Sequence, residues 1–439
     1  METELRRRAE ARGLDVGSSL PEGSTSWVAC LLKRNRRDAQ MRQAPLAVGL
    51  DHSIFVDTGG RLLTCGFDTV DRRILGHAED LAADPTFFSK IGSPTSLPSM
   101  QERRIVSVAT SDKHCLALSV DGKVFSWGSG SYGALGHGDD ADSTVPSKIE
   151  SLRRIERIAA GPRWASAAVD EDGRLFTWGR ARPVEEEDED GELEEFGGPS
   201  GLGYELDAET DHQATPKRVD ALSQERVVGV ALGGGFTLAV TNAGTVFSFG
   251  CSWQGGLGHG SLEGGVLPRR IEALTRTRRR VVAVAAGNSH ALALTEEGEF
   301  YGWGFERANG HWSEEHTPQR VAALIGQRIK LVHAHNCASC AVTEKGELFA
   351  WGFGLVGNVG HADSDPQCEP KRVAGLSGVE VAAVAIGWRH TLAADADGVV
   401  WAFGRRRNLG LGALGPTDGA NVQTPTPSPT LHVRVLNSP

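Results

Sequence analysis

Apolar and polar positions alternate along this chain of 439 residues in a unit that recurs about every 50 residues. The clearest copy is VVAVAAGNSHALALTEEGEFYGWG, residues 281–304. It holds an apolar run ending at glycine, a short loop, a second apolar run, a turn, and a third run ending in an aromatic residue and glycine. This closing glycine recurs at intervals of 62, 51, 71, 54, 48 and 52 residues, at Gly66, Gly128, Gly179, Gly250, Gly304, Gly352 and Gly404.

Each copy predicts four short β-strands and no long helix. In the clearest copy, the first three strands are expected over 281–286, 290–295 and 299–303. A glycine closes the turn between the second and third strands of every copy, because glycine adopts positive φ at little cost. The fourth strand is expected near proline, which suits an outer strand, around 146–149, 216–219, 268–271, 318–321 and 370–373.

Seven copies of four strands predict an all-β fold, a seven-bladed β-propeller of four-stranded blades. A single blade cannot bury both faces, so neighbouring blades are expected to supply the core. The aromatic residues before the closing glycines are then core residues between blades: Trp127, Trp178, Phe249, Trp303, Trp351 and Phe403, with Cys65 in the first copy. We expect the propeller over 43–436 and a short helical N-terminal extension over 1–42.

Four segments carry a resemblance to a known repeat. They are SYGALGHG at 131–138, QGGLGHG at 254–260, GNSHALAL at 287–294 and GWRHTL at 387–392. Their pattern resembles the regulator-of-chromosome-condensation repeat, and the likeness covers nearly the whole chain. The resemblance implies the same seven-bladed propeller. The sequence contains no Trp-Asp dipeptide, which disfavours a WD-type propeller.

The acidic charge is concentrated in one segment. Nine acids and no bases lie over 185–195, and without them the formal charge changes from −10 to −1. The propeller is therefore almost neutral, which makes a nucleic-acid partner unlikely and gives no drive toward an anionic membrane. We interpret 183–198 as a solvated loop inserted between blades, with a landing site for a basic partner as the alternative. Its first acids are Glu185, Glu186, Glu187, Asp188, Glu189 and Asp190.

The composition favours a reducing compartment. Seven cysteines, without a framework spacing, fit the cytosol or nucleus. No apolar run reaches the length of a membrane-spanning helix, and no signal peptide is visible at the start. The sequence therefore predicts a cytoplasmic or nuclear protein.

Neither catalysis, a metal nor a cofactor is predicted. The Gly-x-Gly-x-x-Gly matches at 128–133 and 352–357 follow a strand but do not open a helix, so they are interpreted as blade turns. Cys337 and Cys340 lack a second ligand pair and are expected to be free. Four histidines share one repeat position, which favours an architectural role with hydrogen bonds to loop backbone: His52, His114, His290 and His390.

Two hypotheses describe the function. The leading one is a non-catalytic scaffold that binds a protein partner through loops held on a rigid ring. The resemblance implies the alternative, guanine-nucleotide exchange on a small Ras-like GTPase, and Asp112 matches an acidic loop residue used in that family. Asp51 stands one position further along its own copy. An acid in either loop also fits simple turn capping.

Three further positions are candidate partner contacts. Trp388 and Arg389 are side-chain types that often dominate interfaces, and Trp164 replaces the repeated histidine in its copy. A plant-type ultraviolet-B photoreceptor resembles this family and carries GWRHT in three successive blades, whereas this chain has it once. Photoreception is therefore a lesser alternative. Chromatin binding is another lesser alternative. The oligomeric state stays open.

Overall fold

The computed structural model describes residues 44–67, 74–77, 90–181, 198–206, 210–305, 307–354, 356–361, 366–405, 421–433 and 435. The predicted helical extension over 1–42 lies outside the described residues. The acidic insertion over 183–198 also lies outside them, apart from Gly198.

The described residues form seven four-stranded antiparallel sheets, in which neighbouring strands follow each other in sequence. Blades 1 to 4 comprise β1 (Leu46–Val48), β2 (His52–Val56), β3 (Leu62–Phe67), β4 (Lys90–Ser96); β5 (Ile105–Thr110), β6 (His114–Ser119), β7 (Val124–Gly128), β8 (Ser143–Lys148); β9 (Ile155–Ala160), β10 (Trp164–Asp170), β11 (Leu175–Arg180), β12 (Gln213–Arg218); and β13 (Val227–Leu232), β14 (Phe236–Thr241), β15 (Val246–Gly250), β16 (Gly265–Arg270).

Blades 5 to 7 repeat the arrangement. They comprise β17 (Val281–Ala286), β18 (His290–Thr295), β19 (Phe300–Gly304), β20 (Glu315–Arg320); β21 (Ile329–His335), β22 (Ala338–Thr343), β23 (Leu348–Gly352), β24 (Gln367–Arg372); and β25 (Val381–Ile386), β26 (His390–Asp395), β27 (Val399–Gly404), β28 (Val422–His432). The predicted seven-bladed propeller and the strands of its clearest copy are confirmed.

Helical structure among the described residues is limited to single turns between strands. One short α-helix, α1 (Glu272–Arg276), joins blades 4 and 5. The 3-10 turns are Pro98–Met100, Ser131–Gly133, Asp220–Leu222, Trp253–Gly255, Ala322–Leu324 and Ala374–Leu376.

The core lies between the blades. Seven apolar clusters fill the interior, and each joins residues of two consecutive blades, the last one joining blade 7 to blade 1. The six aromatic residues predicted to lie there are fully buried, which confirms their assignment. Four of them are tryptophans whose indole N–H donates to a carbonyl of the preceding blade, as Trp303 does to Gly256 at 2.9 Å. These four hydrogen bonds help to fix the position of a blade relative to the preceding one.

The closing glycines are required by close backbone approach. Gly304 has φ +89°, and a Cβ atom there would lie 2.4 Å from the Ser289 carbonyl oxygen and 2.8 Å from the His290 Cα. All seven closing glycines have positive φ. A side chain at this position would meet both steric and conformational penalties.

The ring is closed by the C-terminal side of the chain. In six places the first residue of a blade donates its backbone N–H to the turn glycine of the preceding blade, as Ile105 does to Gly60 at 2.8 Å. At the seventh place the donor is Val433, which follows β28 and bonds Gly398 at 2.9 Å. Val433 also bridges Asp57, so it takes the place in blade 1 that Ile105 takes beside Ser119 in blade 2. Both ends of the described ring thus contribute to the first blade.

Candidate interaction surface

Strand order divides the connections between two ends of the ring. Since the four strands of a blade are antiparallel and consecutive, connections 1–2 and 3–4 emerge at one end, and connection 2–3 and the step to the next blade emerge at the other. We call these ends the loop face and the hairpin face. All five predicted contact residues lie on or beside 1–2 connections, so the topology brings them to the loop face.

The innermost loops of this face bond to each other. The backbone N–H of Asn288 donates to the Asn336 carbonyl at 2.7 Å, and Gly234 donates to Asn288 at 2.9 Å. Asp112 donates its backbone N–H to Pro162 at 3.2 Å. Bonds between loops of successive blades make this part of the face a rigid rim.

Asp51 and Arg389 form one ion pair rather than two separate contacts. Arg389 Nη1 donates to both carboxylate oxygens of Asp51, at 2.7 and 2.9 Å. Asp51 comes from blade 1 and Arg389 from blade 7, so the pair clasps the two blades where the ring closes. Charge-assisted hydrogen bonds of this kind are among the stronger polar contacts in proteins.

Asp112 points into the ring instead of out to solvent. Its Oδ1 lies 3.8 Å from Nε2 of His335, and only 12% of its side chain is exposed. Because blades 2 and 6 are not neighbours, this contact spans the central channel. Burial lowers the pKa of His335 to about 4. Local sequence patterns did not identify His335, since only ring geometry places it opposite Asp112.

The two tryptophans predicted as contacts have different surroundings. The Trp388 side chain is 48% exposed, and the Arg389 guanidinium carbon lies 6.0 Å from its ring centroid. Trp164 is partly buried, because the ring of Tyr132 from blade 2 packs against it with centroids 4.9 Å apart. Sequence analysis did not find Tyr132.

Two more exposed tryptophans lie on the same face. Trp253 is 45% exposed and Trp312 is 69% exposed, and both belong to 3–4 connections. Neither stands at the repeated aromatic position, and that departure was the available signal in the sequence. The loop of Trp312 is held by Asn309, whose side-chain amide donates to the carbonyls of Gly304 and Ser313 at 2.8 and 2.9 Å. An exposed aromatic ring on an ordered loop is typical of a binding surface.

The residues that flank the acidic run connect the last two strands of blade 3 at this face, so the expectation of a loop between blades was wrong. Glu185, Glu186, Glu187, Asp188, Glu189 and Asp190 lie outside the described residues. The described chain departs after β11 at Ala181 and resumes at Gly198, within a 3–4 connection.

The four repeated histidines bind hydroxyl groups of the next blade. The pairs are His52 with Thr110, His114 with Ser166, His290 with Ser339 and His390 with Ser53, at 2.6 to 2.7 Å. The architectural role is as predicted. The expected loop-backbone partner is found for His114, whose Nδ1 lies 3.2 Å from the Arg163 carbonyl oxygen. The hydroxyl partners from the next blade were not predicted.

The tautomer follows from the hydroxyl's other bond. Ser339 donates its hydroxyl hydrogen to the Ala308 carbonyl at 2.8 Å, so it accepts from His290 Nε2–H. Burial lowers the pKa of His290 and His390 to about 3, and that of His114 to about 4. Neutral imidazoles therefore link successive blades at physiological pH.

Two absences hold for the described part of the chain. Among those residues, no group of three or more His, Cys, Asp or Glu side chains is arranged to hold a metal ion. None of the helices there is long and apolar enough to cross a membrane.

These features define a seven-bladed propeller whose loop face exposes aromatic side chains on a rigid rim. Two profiles of the regulator of chromosome condensation (RCC1) repeat match the chain, one at 121–167, 243–294 and 345–394, the other at 105–134, 281–310 and 381–408. The chain therefore carries RCC1 repeats.

Curated relatives include a plant receptor and a human ligase. The ultraviolet-B receptor UVR8 of Arabidopsis thaliana is 32% identical over 83% of this chain and 66% of the receptor. The E3 ubiquitin-protein ligase HERC2 of Homo sapiens is 35% identical over 81% of this chain but only 7% of the ligase. The chain therefore spans just under two thirds of the receptor and a small part of the ligase.

Among solved structures, Prp20p of Saccharomyces cerevisiae has a similar fold. The TM-score is 0.67 at 23% identity, and the alignment covers 90% of this chain and 89% of Prp20p. At this level of identity the likeness establishes the shared fold alone.

Proposed function

We propose that this protein is a non-catalytic scaffold that binds a protein partner through its loop face. The single observation that carries the proposal is the position of Trp253, Trp312 and Trp388, three exposed tryptophans on one end of the ring. Exposed large apolar side chains cost solvation free energy, and tryptophan is enriched among the residues that dominate interfaces. The hairpin face exposes the aliphatic Val120 and Ile325 but no tryptophan among its described residues.

The rim supports the same proposal through preorganisation. The bonds between inner loops and the clasp of Asp51 with Arg389 hold the backbone of the face in one conformation. A surface that is already ordered loses less conformational entropy on binding. Asp51 and Arg389 therefore support the surface, while Trp388 offers the contact area.

The test compares one substitution on each face. The full chain is used for affinity purification from its source cells with chemical crosslinking. Recovered proteins are expected to crosslink to loop-face residues, and Trp388→Ala is expected to weaken their binding by about tenfold. Val120→Ala, which removes exposed apolar surface from the hairpin face, is the matched control. Crosslinks confined to the hairpin face, or equal binding by both variants, would contradict the proposal.

Guanine-nucleotide exchange on a small Ras-like GTPase is the second candidate. Its support is the RCC1 repeats and the shared fold with Prp20p, a protein whose binding to Gsp1p and histones has been characterised. The buried position of Asp112 and the ion pair of Asp51 make neither carboxylate readily available to a partner. Nucleotide-release assays on any GTPase recovered above decide between the candidates, and faster release would favour exchange.

Photoreception and chromatin binding have less support. Trp388 has no tryptophan neighbours at the matching positions of blades 5 and 6, which are Asn288 and Asn336. These two positions therefore give no support for extending ultraviolet-B sensing from the plant relative to this chain. Histone binding by Prp20p would extend to it only through a surface that the described residues do not identify.

The remaining assignments are proposals for parts of the chain and for its location. Residues 1–42 are proposed to form a helical extension, and 183–198 a solvated acidic insertion in the propeller over 43–436. A cytosolic or nuclear location fits the cysteine usage. One relative, RUG3 of Arabidopsis thaliana, is mitochondrial and is 32% identical over 54% of this chain. Imaging of the full chain carrying a fluorescent tag tests the location.

A further inference from the structure

Blade 3 departs from the repeat at the position of the linking histidine. Four blades place a buried histidine there, and two others place the buried Phe236 and Ala338. Blade 3 places Trp164, which is the partly exposed residue among these seven described positions. Packing alone gives no reason to carry the largest side chain where it remains in contact with water.

Tyr132 of blade 2 completes an aromatic pair with Trp164. Their ring centroids are 4.9 Å apart with an interplanar angle of 64°, an edge-to-face arrangement. Tyr132 has φ +57° and ψ +28°, a left-handed conformation that is costly for residues other than glycine. Gln254 has the same conformation at the matching position of blade 4. The loop thus fixes the backbone, and blade 2 uses it to hold a phenol ring at the surface.

Two guanidinium groups flank this aromatic pair. The Arg180 Cζ atom lies 4.7 Å from the Tyr132 ring centroid, and the Arg163 Cζ atom lies 5.9 Å from that of Trp164. Arg180 is mostly buried and pairs with Asp211 at 2.8 Å, whereas Arg163 is exposed. The ring faces already interact with cations, so a cationic partner would meet repulsion there.

The acidic groups nearby are engaged with their own basic neighbours. Besides its pair with Arg180, Asp211 lies 3.2 Å from Nδ1 of His212, and Nε2 of His212 lies 3.3 Å from Asp140. The His212 ring is 6.0 Å from the Tyr132 ring. Arg163 is the exposed cation next to the indole ring. Because exposed ion pairs are weak, a carboxylate of a partner can replace a surface contact that the Arg163 guanidinium makes within the chain.

We propose that Tyr132, Arg163 and Trp164 form an anchor site at the boundary of blades 2 and 3, and that its occupant is an acidic segment of a protein partner. An Asp or Glu of that segment binds the Arg163 guanidinium, and an adjacent aromatic or aliphatic side chain packs on the two rings. Tryptophan, tyrosine and arginine are the types that most often carry interface energy. The inference rests on the proposed function and names the chemistry of the partner.

The probe is a library of random dodecapeptides displayed on phage and selected on the immobilised full chain. Enriched peptides are expected to carry Asp or Glu next to an aromatic or large aliphatic residue. Affinities of the best synthetic peptide are then measured by isothermal titration calorimetry. Trp164→Ala and Arg163→Gln are each expected to weaken binding by about tenfold or more. Trp253→Ala, which removes an exposed tryptophan from blade 4, is the matched control and is expected to bind normally.

The outcomes separate this inference from the proposed function. Enrichment of basic peptides, or no enrichment over bare support, overturns the anchor site. Acidic peptides that bind Trp164→Ala normally but lose Trp388→Ala also overturn it, while leaving the loop face as the docking surface. Peptides lost only in a hairpin-face variant, Arg328→Ala, would contradict both. Thermal unfolding of each variant shows that the ring remains folded.

Discussion

The two ends of the ring use the same repeat in opposite ways. On the hairpin face, short turns carry charges that pair systematically: Arg154 with Glu171 and Asp172, Arg280 with Glu296, and Arg328 with Glu344. On the loop face, longer connections expose tryptophans above a rim of backbone bonds. Paired surface charges are well hydrated, so burying them in an interface gains little free energy. Burying an exposed indole ring in an interface is favourable, because apolar surface is removed from water.

This difference shows how a ring of near-identical units becomes one-sided. Turns between the second and third strands are fixed by the glycine that each blade needs for its hairpin, so they have little room to vary. The 3–4 connections have no such constraint, and they hold Trp253, Trp312 and the acidic insertion. The exposed tryptophans Trp253 and Trp312 and the acidic insertion therefore lie in connections whose length the repeat leaves free.

The largest expected effect contrasts two glycines that have nearly the same φ angle and lie on opposite faces. Gly304 has φ +89° and backbone atoms within 3 Å of the point where a Cβ atom would lie, whereas Gly326 has φ +88° and open space around it. Gly304→Val is expected to lower the free energy of unfolding by about 3–5 kcal/mol, and Gly326→Val by about 1–2 kcal/mol. Chemical denaturation measures both. Equal losses would show that the close approach under the loop face is unimportant.

The next effect concerns the hydrogen bond that closes the hairpin face. Val433→Pro removes the N–H that bonds Gly398 and is expected to cost about 2–3 kcal/mol. Val433→Ala keeps the N–H and loses only two buried methyl groups, so about 1.5 kcal/mol is expected. Thermal unfolding compares the two variants, and an unchanged midpoint for the proline variant would rule out a closing role.

Acid is expected to act on the histidines beneath the loop face. Burial holds the folded-state pKa of His290 at about 3, below its ordinary value of about 6.5. The unfolded state therefore binds protons more readily, so this contribution to stability is present above pH 6.5 and is lost as the pH falls toward 3. At pH 5 the loss is about 2 kcal/mol for this ring.

His290→Phe copies the residue that blade 4 carries at the same position, and it removes the titrating group. The fall in unfolding free energy between pH 7.5 and pH 5 should become smaller in this variant. Denaturation curves at both pH values provide the measurement. An undiminished fall would mean that other groups control the acid response.

The smallest effect is expected on the hairpin face. Arg328 is exposed and pairs with Glu344 at 3.2 Å, and such surface pairs contribute about 0–1 kcal/mol. Arg328→Ala should therefore change the unfolding free energy by less than about 0.5 kcal/mol. It should also leave partner binding intact. A large change in either quantity would remove the distinction between the faces.

Much of the fold was predictable because its signals are local. Alternating apolar residues, turn glycines and the aromatic residue before each closing glycine all lie within one copy of the repeat, and they led to seven four-stranded blades. The hydroxyl partner of His290 was missed because Ser339 lies in the next blade. The alternation of apolar residues over 431–436 already favoured a closing strand, but the partners of Val433 could not be predicted, because they lie in blades 7 and 1.

The candidate surface was less predictable for the same reason. Trp388 stood out in the sequence and is exposed, but Asp51 and Arg389 were chosen separately and lie together only because the ring closes. Asp112 meets His335 across the channel, a contact that no spacing in the sequence encodes. Tyr132 and Trp164 come from different blades, so their pairing also required the three-dimensional structure.

The position of Val433 has a consequence for biosynthesis. Blade 1 emerges from the ribosome first. Its residue Asp57 pairs with Val433, which is synthesised only after all the other blades. During translation the ring is therefore open, and the apolar sides of the first blade and of the most recently made blade are exposed. Nascent chains at that stage are expected to need protection from aggregation until the circle can form.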